Sequence, residues 1–153
     1  MPAKKLKEYL DNQKIEYVSI FHAAASTSQR IAATSHIPGK ELAKTVMIKV
    51  DGKMAMAVLP ASHNINFELF KKLANAEKVE LTTELAFVNL FPDCEVGAMP
   101  PFGNLYGMDV YIPEILSEDE EISFNAGTHT ELIRMDYKDF VKIVNPKIGN
   151  FTR

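Results

Sequence analysis

The chain has 153 residues, 46% of them hydrophobic, and a formal net charge of −3. That length fits a single domain over 1–153 with a full core, no apolar run approaches the roughly 18 residues that span a bilayer, and the charge gives no bulk sign of nucleic-acid binding. The one cysteine, Cys94, excludes an internal disulfide and a multi-cysteine zinc site, so a soluble cytoplasmic protein is expected.

Leu6, Tyr9 and Leu10 recur at helical spacing, which predicts an amphipathic helix over 3–13. Residues 15–20 alternate like a strand. Ser26 or Thr27 can cap a helix that carries Ile31, Ala32 and Ala33 and stops near Pro38-Gly39. Residues 45–50 and 54–59 are apolar runs joined by Asp51-Gly52, a dipeptide suited to the positive φ values of a type I′ turn. Both runs are almost continuously apolar, so both faces of this hairpin should be covered. Met47, Met54 and Met56 read as core filling. Asn66 can cap a helix with Phe67, Phe70, Leu73 and Ala74 on one face. A short strand at 79–81 follows, then a helix from Thr82 or Thr83 through Val88, then a strand at 94–98. Further strands are expected at 108–112, 122–124 and 132–135. The last two are joined by Asn125-Ala126-Gly127-Thr128-His129. Asp136 should cap a final helix with Tyr137, Phe140, Val141 and Val144 inward, ended by Pro146 and followed by a loose tail. Strands and helices intermingle without strict βαβ alternation. That predicts an α+β fold, a mixed sheet with helices packed around it.

The most unusual stretch is Gly97-Ala98-Met99-Pro100-Pro101-Phe102-Gly103. Its prolines stiffen the backbone and its glycines leave it bare, which suits either a tight turn or a loop presenting N–H groups. The histidines are His22, His36, His63 and His129; no two share metal-type i, i+4 spacing. His129 lies in a small-residue loop, where it can face a ligand or hydrogen-bond the loop itself. Cys94 with His129 could form a nucleophile and base, although a lone cysteine beside an apolar strand reads rather as a small buried hydrophobe. GxSxG, GxGxxG and GxxxxGK[ST] are absent, which removes support for a serine hydrolase of that type, a Rossmann site and a P-loop. Lys44 stands at the start of the buried hairpin, where a lysine can hold a phosphate or a developing anion, or simply face solvent. Lysines are frequent in the first half and 117–121 is acidic, which permits one basic face.

Three segments resemble one family. They are Thr27-Ser28-Gln29-Arg30-Ile31-Ala32-Ala33 with Ile37-Pro38-Gly39-Lys40-Glu41-Leu42-Ala43-Lys44-Thr45, the loop from Gly97 to Gly103, and Asn125-Ala126-Gly127-Thr128-His129-Thr130-Glu131-Leu132-Ile133. In this order they resemble the YbaK/prolyl-tRNA-synthetase-associated domain. The resemblance implies a mixed, partly closed, barrel-like β-sheet with surrounding helices. It implies a trans-editing deacylase that needs no metal or other cofactor and hydrolyses the ester of a mischarged tRNA, commonly tRNA for proline carrying Ala, Cys or another small amino acid. A noncatalytic tRNA-end or nucleotide-binding module of the same fold is the alternative. The implied partner is the tRNA acceptor end, with an aminoacyl-tRNA synthetase left open as a second and no membrane. The matched key lysine is Lys44, with Gly97 and Ala98 as its catalytic companions through their backbone N–H groups. Thr27, Thr45, Met99, Pro101, Phe102, Gly103, Gly127 and His129 would bind substrate. Thr45 follows Lys44 where some alanine-editing relatives carry Asn, which leaves cysteine or another small amino acid open.

Overall fold

The computed structural model describes residues 4–21, 42–82, 94–95 and 98–153. The helices expected after Ser26 and after Thr83 lie outside these residues, as do Thr27 and Gly97.

Helix α1 (Lys4–Asn12) buries Leu6 and Leu10 on one side, as its spacing predicts. Strand β1 (Tyr17–Phe21) follows. Strands β2 (Leu42–Val50) and β3 (Lys53–Pro60) form the expected hairpin. Asp51 and Gly52 take φ values of 49° and 85°, the left-handed pair that a type I′ turn requires. Asp51 does a second job: its Oδ1 accepts from the backbone N–H groups of Glu77 and Lys78. Helix α2 (Phe67–Ala74) starts on Asn66, whose Oδ1 accepts from Leu69 N at 3.2 Å, and ends on left-handed Asn75. Then come β4 (Val79–Leu81), β5 (Asp109–Pro113), β6 (Glu121–Asn125), β7 (Glu131–Asp136), α3 (Tyr137–Val144) and β8 (Lys147–Gly149).

The strands make one mixed sheet in the order β1-β7-β6-β2-β3-β5-β8, with β4 also on β2. The pairs β2/β6, β3/β5 and β5/β8 are parallel and the others antiparallel. This is the α+β mixed sheet the sequence predicts, and among the described residues it runs open from β1 to β8. Successive side chains on a strand point to opposite faces, so β2 and β3 feed two cores. Met47, Met56 and Val58 join Leu6, Leu10, Phe102, Phe124, Ile133 and Phe140 on one face. Ile48, Ala57 and Leu59 join Phe70, Tyr111 and Phe151 on the other. Continuous apolar runs on both strands are the sequence signature of that arrangement.

Three expectations are corrected. Residues 94, 95 and 98 are not in a strand. Ala98 N–H turns back to Glu95 O at 3.0 Å, and Glu95 N–H goes to Gly127 O, so this backbone is satisfied by turn and loop. Asp136 stands at the N-cap of α3 but its side chain makes no capping hydrogen bond. The tail is not loose. Thr152 bridges Ile65, and Phe151 is fully buried against Phe70 with ring centroids 4.9 Å apart. Without Phe151 the second core would lack one wall.

Candidate active site

One edge of β2 is shared by two strands. Strand β6 pairs with it only at Leu42↔Ser123 and Ala43↔Phe124. Strand β4 joins the same strand further on, at Ile48↔Leu81. Between them, from Lys44 to Met47, β2 has β3 along one side and no strand along the other among the described residues. The sheet therefore parts beside Lys44. Such a parting leaves backbone and side chains that a ligand can reach.

Lys44 shares a face with Val46, Leu59, Phe67 and Leu81, and with them lines a cavity of about 270 Å³. Its side chain is half-buried and takes no hydrogen bond or ion pair from the described residues. Burial holds its pKa below the ordinary 10.5, because a partly dry setting disfavours the ammonium. Two lysines that could have added to a basic face are engaged elsewhere. Lys7 pairs with Glu131 at 2.6 Å, and Lys5 donates to Leu105 O while lying over the Tyr106 ring.

The two loops of interest meet at the end of β6. Gly127 N–H donates to Ala98 O at 2.9 Å, and Glu95 N–H donates to Gly127 O at 2.8 Å. Glu95 Oε1 accepts from His129 N–H at 2.9 Å. Gly127 takes φ 96°, which a side chain would strain, so glycine is needed for this turn. Glu95 and Ala98 are thus joined with Gly127 and His129 in one hydrogen-bonded unit. It follows directly from the strand whose pairing with β2 ends beside Lys44. The topology brings together Glu95, Ala98, Gly127 and His129; none of these is among the residues that line the Lys44 cavity.

Other expected site residues are placed elsewhere. Phe102 is fully buried in the first core, edge-on to Phe124 and Phe140 at centroid distances of 5.4 Å and 5.5 Å. Met99 is 4% exposed in that same core. Neither lines an open pocket, because the loop's apolar side chains turn inward to satisfy the hydrophobic effect. Pro101 is buried too. Gly103 is demanded by packing: a Cβ there would sit 2.6 Å from Met108 O. Alternation turns Thr45 to the first-core face, opposite Lys44. Ala98 N–H is committed to Glu95 O, which removes it from the donors that could meet an oxyanion. Cys94 is half-buried against the first core, as a small hydrophobe would be.

Two residues were missed. Ser123 and Asn125 are 0% and 4% exposed, and Ser123 Oγ and Asn125 Oδ1 have no hydrogen-bond partner. The signal was available in Ile122-Ser123-Phe124-Asn125, where the polar residues alternate with the apolar ones and so share a face. Glu95, which holds the His129 loop, carried no comparable signal.

The aminoacyl-tRNA editing domain model matches residues 22–143. The Multifunctional Ser/Thr-tRNA deacylase ProXp-y of Escherichia coli (strain K12) is 25% identical over 158 aligned positions, covering 98% of this chain and 92% of that protein. Proline--tRNA ligase of Staphylococcus haemolyticus (strain JCSC1435) is 27% identical over 112 positions, 72% of this chain but only 18% of the ligase. Among solved structures, the hypothetical protein APE2540 superposes with a TM-score of 0.88 at 18% identity, covering 98% of this chain and all of that one. A candidate trans-editing enzyme for prolyl tRNA synthetase superposes with a TM-score of 0.84 at 15% identity, covering 99% of this chain and 97% of that one. These two share the fold.

Proposed function

Because the chain belongs to the aminoacyl-tRNA editing domain family, we propose that it hydrolyses the ester joining a wrongly attached amino acid to the terminal ribose of a tRNA. The observation that supports this reading is Lys44, half-buried where the pairing of β2 with β6 ends, with β6 running on into a loop that is hydrogen-bonded to Glu95 and Ala98. The amino acid is small. The full-length similarity to a Ser/Thr-tRNA deacylase favours serine and threonine, with alanine and cysteine as the competitors. The similarity to part of a proline–tRNA ligase favours tRNA for proline as the carrier, and a synthetase as a partner in the cytoplasm.

In the reaction a water oxygen adds to the ester carbonyl carbon, and the carbonyl oxygen gathers negative charge. The ester bond then breaks, and the proton released by the water ends on the ribose oxygen. The products are free amino acid and uncharged tRNA. Lys44 supplies a positive charge in a partly dry setting, where it attracts the terminal phosphate or the oxyanion more strongly than in water. With the Ala98 N–H committed, the oxyanion needs a different backbone donor, a role we assign to Gly97. Thr27 and His129 orient the water.

Lys44 also sets a pH dependence. Its pKa lies below 10.5 through burial, so it loses its proton at a lower pH than an ordinary lysine. Affinity for the tRNA acceptor end, measured by fluorescence anisotropy, should fall as pH rises through that lowered value. Lys44→Arg should abolish this fall, since a guanidinium stays charged. The same shift means that the folded chain binds this proton less tightly than the unfolded one. Stability from this group therefore rises with pH between the folded value and 10.5.

The function is tested by incubating the full chain with Ser-, Thr-, Ala-, Cys- and Pro-charged tRNA for proline and measuring released amino acid. Release from Ser- or Thr-tRNA with Pro-tRNA left intact is expected. Release from Ala- or Cys-tRNA alone would reassign the amino acid.

A further inference from the structure

Strand β6 carries a feature that the reaction above does not use. Its apolar residues Ile122 and Phe124 enter the first core, and Ser123 and Asn125 point the other way. In the parallel β2/β6 pair, Leu42 stands beside Ser123 and Ala43 beside Phe124. The pairing ends there; Lys44 is the next residue of β2 and Asn125 the next and last residue of β6. Leu42 and Ser123, which are in register, share a face, and alternation puts Lys44 and Asn125, each two residues further on, on that same side of the sheet. Asn125 is also the last residue before the loop of Ala126 and Gly127.

Asn125 is 4% exposed, and its Oδ1 has no hydrogen-bond partner. Burying an amide oxygen without a partner is costly, and such groups in native proteins call for an explanation. Ser123, two residues earlier on the same face, is fully buried with its Oγ equally unsatisfied. Polar atoms left bare on the strand that leads into the Gly127 loop can take a hydrogen bond from a ligand. A purely apolar pocket would not carry them.

We propose that Asn125 is the specificity-determining residue of the site, its amide hydrogen-bonding the side-chain hydroxyl of a seryl or threonyl ester, with Ser123 behind it. This rests on the deacylase reading and names its substrate class. The chemistry decides between serine and alanine. An apolar pocket separates side chains that differ by one small group only weakly. A pocket that hydrogen-bonds a hydroxyl penalises the analogue that leaves its polar atoms unpaired. Alanine would leave Asn125 as it stands now, buried and unsatisfied.

The test is kcat/KM of the full chain on Ser-, Thr- and Ala-charged tRNA, for the wild type, Asn125→Leu and Asn125→Asp, with thermal denaturation of each. Wild type should prefer Ser- and Thr- over Ala-tRNA. The Ser-over-Ala preference should fall about 10- to 100-fold in Asn125→Leu, the loss of one hydrogen bond to a buried polar group. Asn125→Asp keeps an acceptor and should retain more of the preference than Asn125→Leu. If Asn125→Leu does not fold, Asn125→Ala and Asn125→Asp carry the same comparison. An equal fall on all three esters, an unchanged Ser-over-Ala ratio, or a wild type that prefers Ala-tRNA overturns the proposal. Wild type that releases no amino acid from any charged tRNA removes the deacylase reading itself. Release with a ratio indifferent to Asn125 removes only this inference.

Discussion

Lys44→Ala is expected to lower single-turnover deacylation by about 10²- to 10³-fold, the range seen when one group that stabilises developing charge is removed. The fold should survive the change. Among the described residues none makes a hydrogen bond or ion pair with Lys44, so its removal strands none of them. Burial already disfavours its ammonium, so thermal stability should be equal to or slightly above that of the wild type. Lys44→Met separates charge from packing. It keeps a long apolar stem against Val46 and Leu59 and should be as inactive as Lys44→Ala. A Lys44→Met protein at the wild-type rate would mean that the stem, not the charge, is what the site uses.

Phe102→Ala should destabilise the protein by about 3–5 kcal/mol, the usual cost of emptying a buried aromatic site. Phe102 has Phe124, Phe140 and Tyr9 around it, the last at 6.4 Å between centroids. Aromatic edge-to-face pairs add to the burial term. Domains of this kind are stable by only about 5–15 kcal/mol, so the variant should be partly unfolded at modest urea. Urea denaturation followed by circular dichroism measures it. The milder Phe102→Leu should stay folded and keep the wild-type ratio of kcat/KM on Ser- and Ala-tRNA. A changed ratio in that variant would return Phe102 to the amino-acid pocket.

The contrast between Lys44 and Phe102 shows what the sequence could reveal. Local devices were legible. Asp51-Gly52 announced its hairpin because few dipeptides take two left-handed residues in a row. Asn66 announced α2 because its side chain satisfies an orphan N–H. The covered faces of β2 and β3 were readable from their unbroken apolar runs. Direction within a loop was not legible. Gly97 to Gly103 has the composition of an exposed turn, yet Met99 and Phe102 dive into the core and Ala98 O accepts from the Gly127 loop. Composition fixes where the chain bends, not which side chains follow the bend inward. The parallel pairing of β2 with β6 was equally hidden, since it joins residues about eighty positions apart with no turn between them to announce it. That pairing is what brings the end of β6 to the start of β2. The tail was misjudged for a related reason: one aromatic, Phe151, decides its fate, and single residues leave no periodic signal.

The family resemblance carried the choice of Lys44 and His129, whose own neighbourhoods in the sequence allowed a bland role for each. The fold shows a half-buried Lys44 at a parting of strands and His129 held in a hydrogen-bonded pair of loops. It also narrows the oxyanion donors, since Ala98 N–H is already engaged.

The most direct measurement is single-turnover release of labelled serine from Ser-tRNA for proline by the wild type, Lys44→Ala and Cys94→Ala side by side, with tRNA binding measured on each. A metered deacylase built around Lys44 predicts rapid release by wild type and Cys94→Ala and near-background release by Lys44→Ala. Wild type that binds the tRNA yet releases no amino acid, or release that is lost in Cys94→Ala and kept in Lys44→Ala, would contradict it.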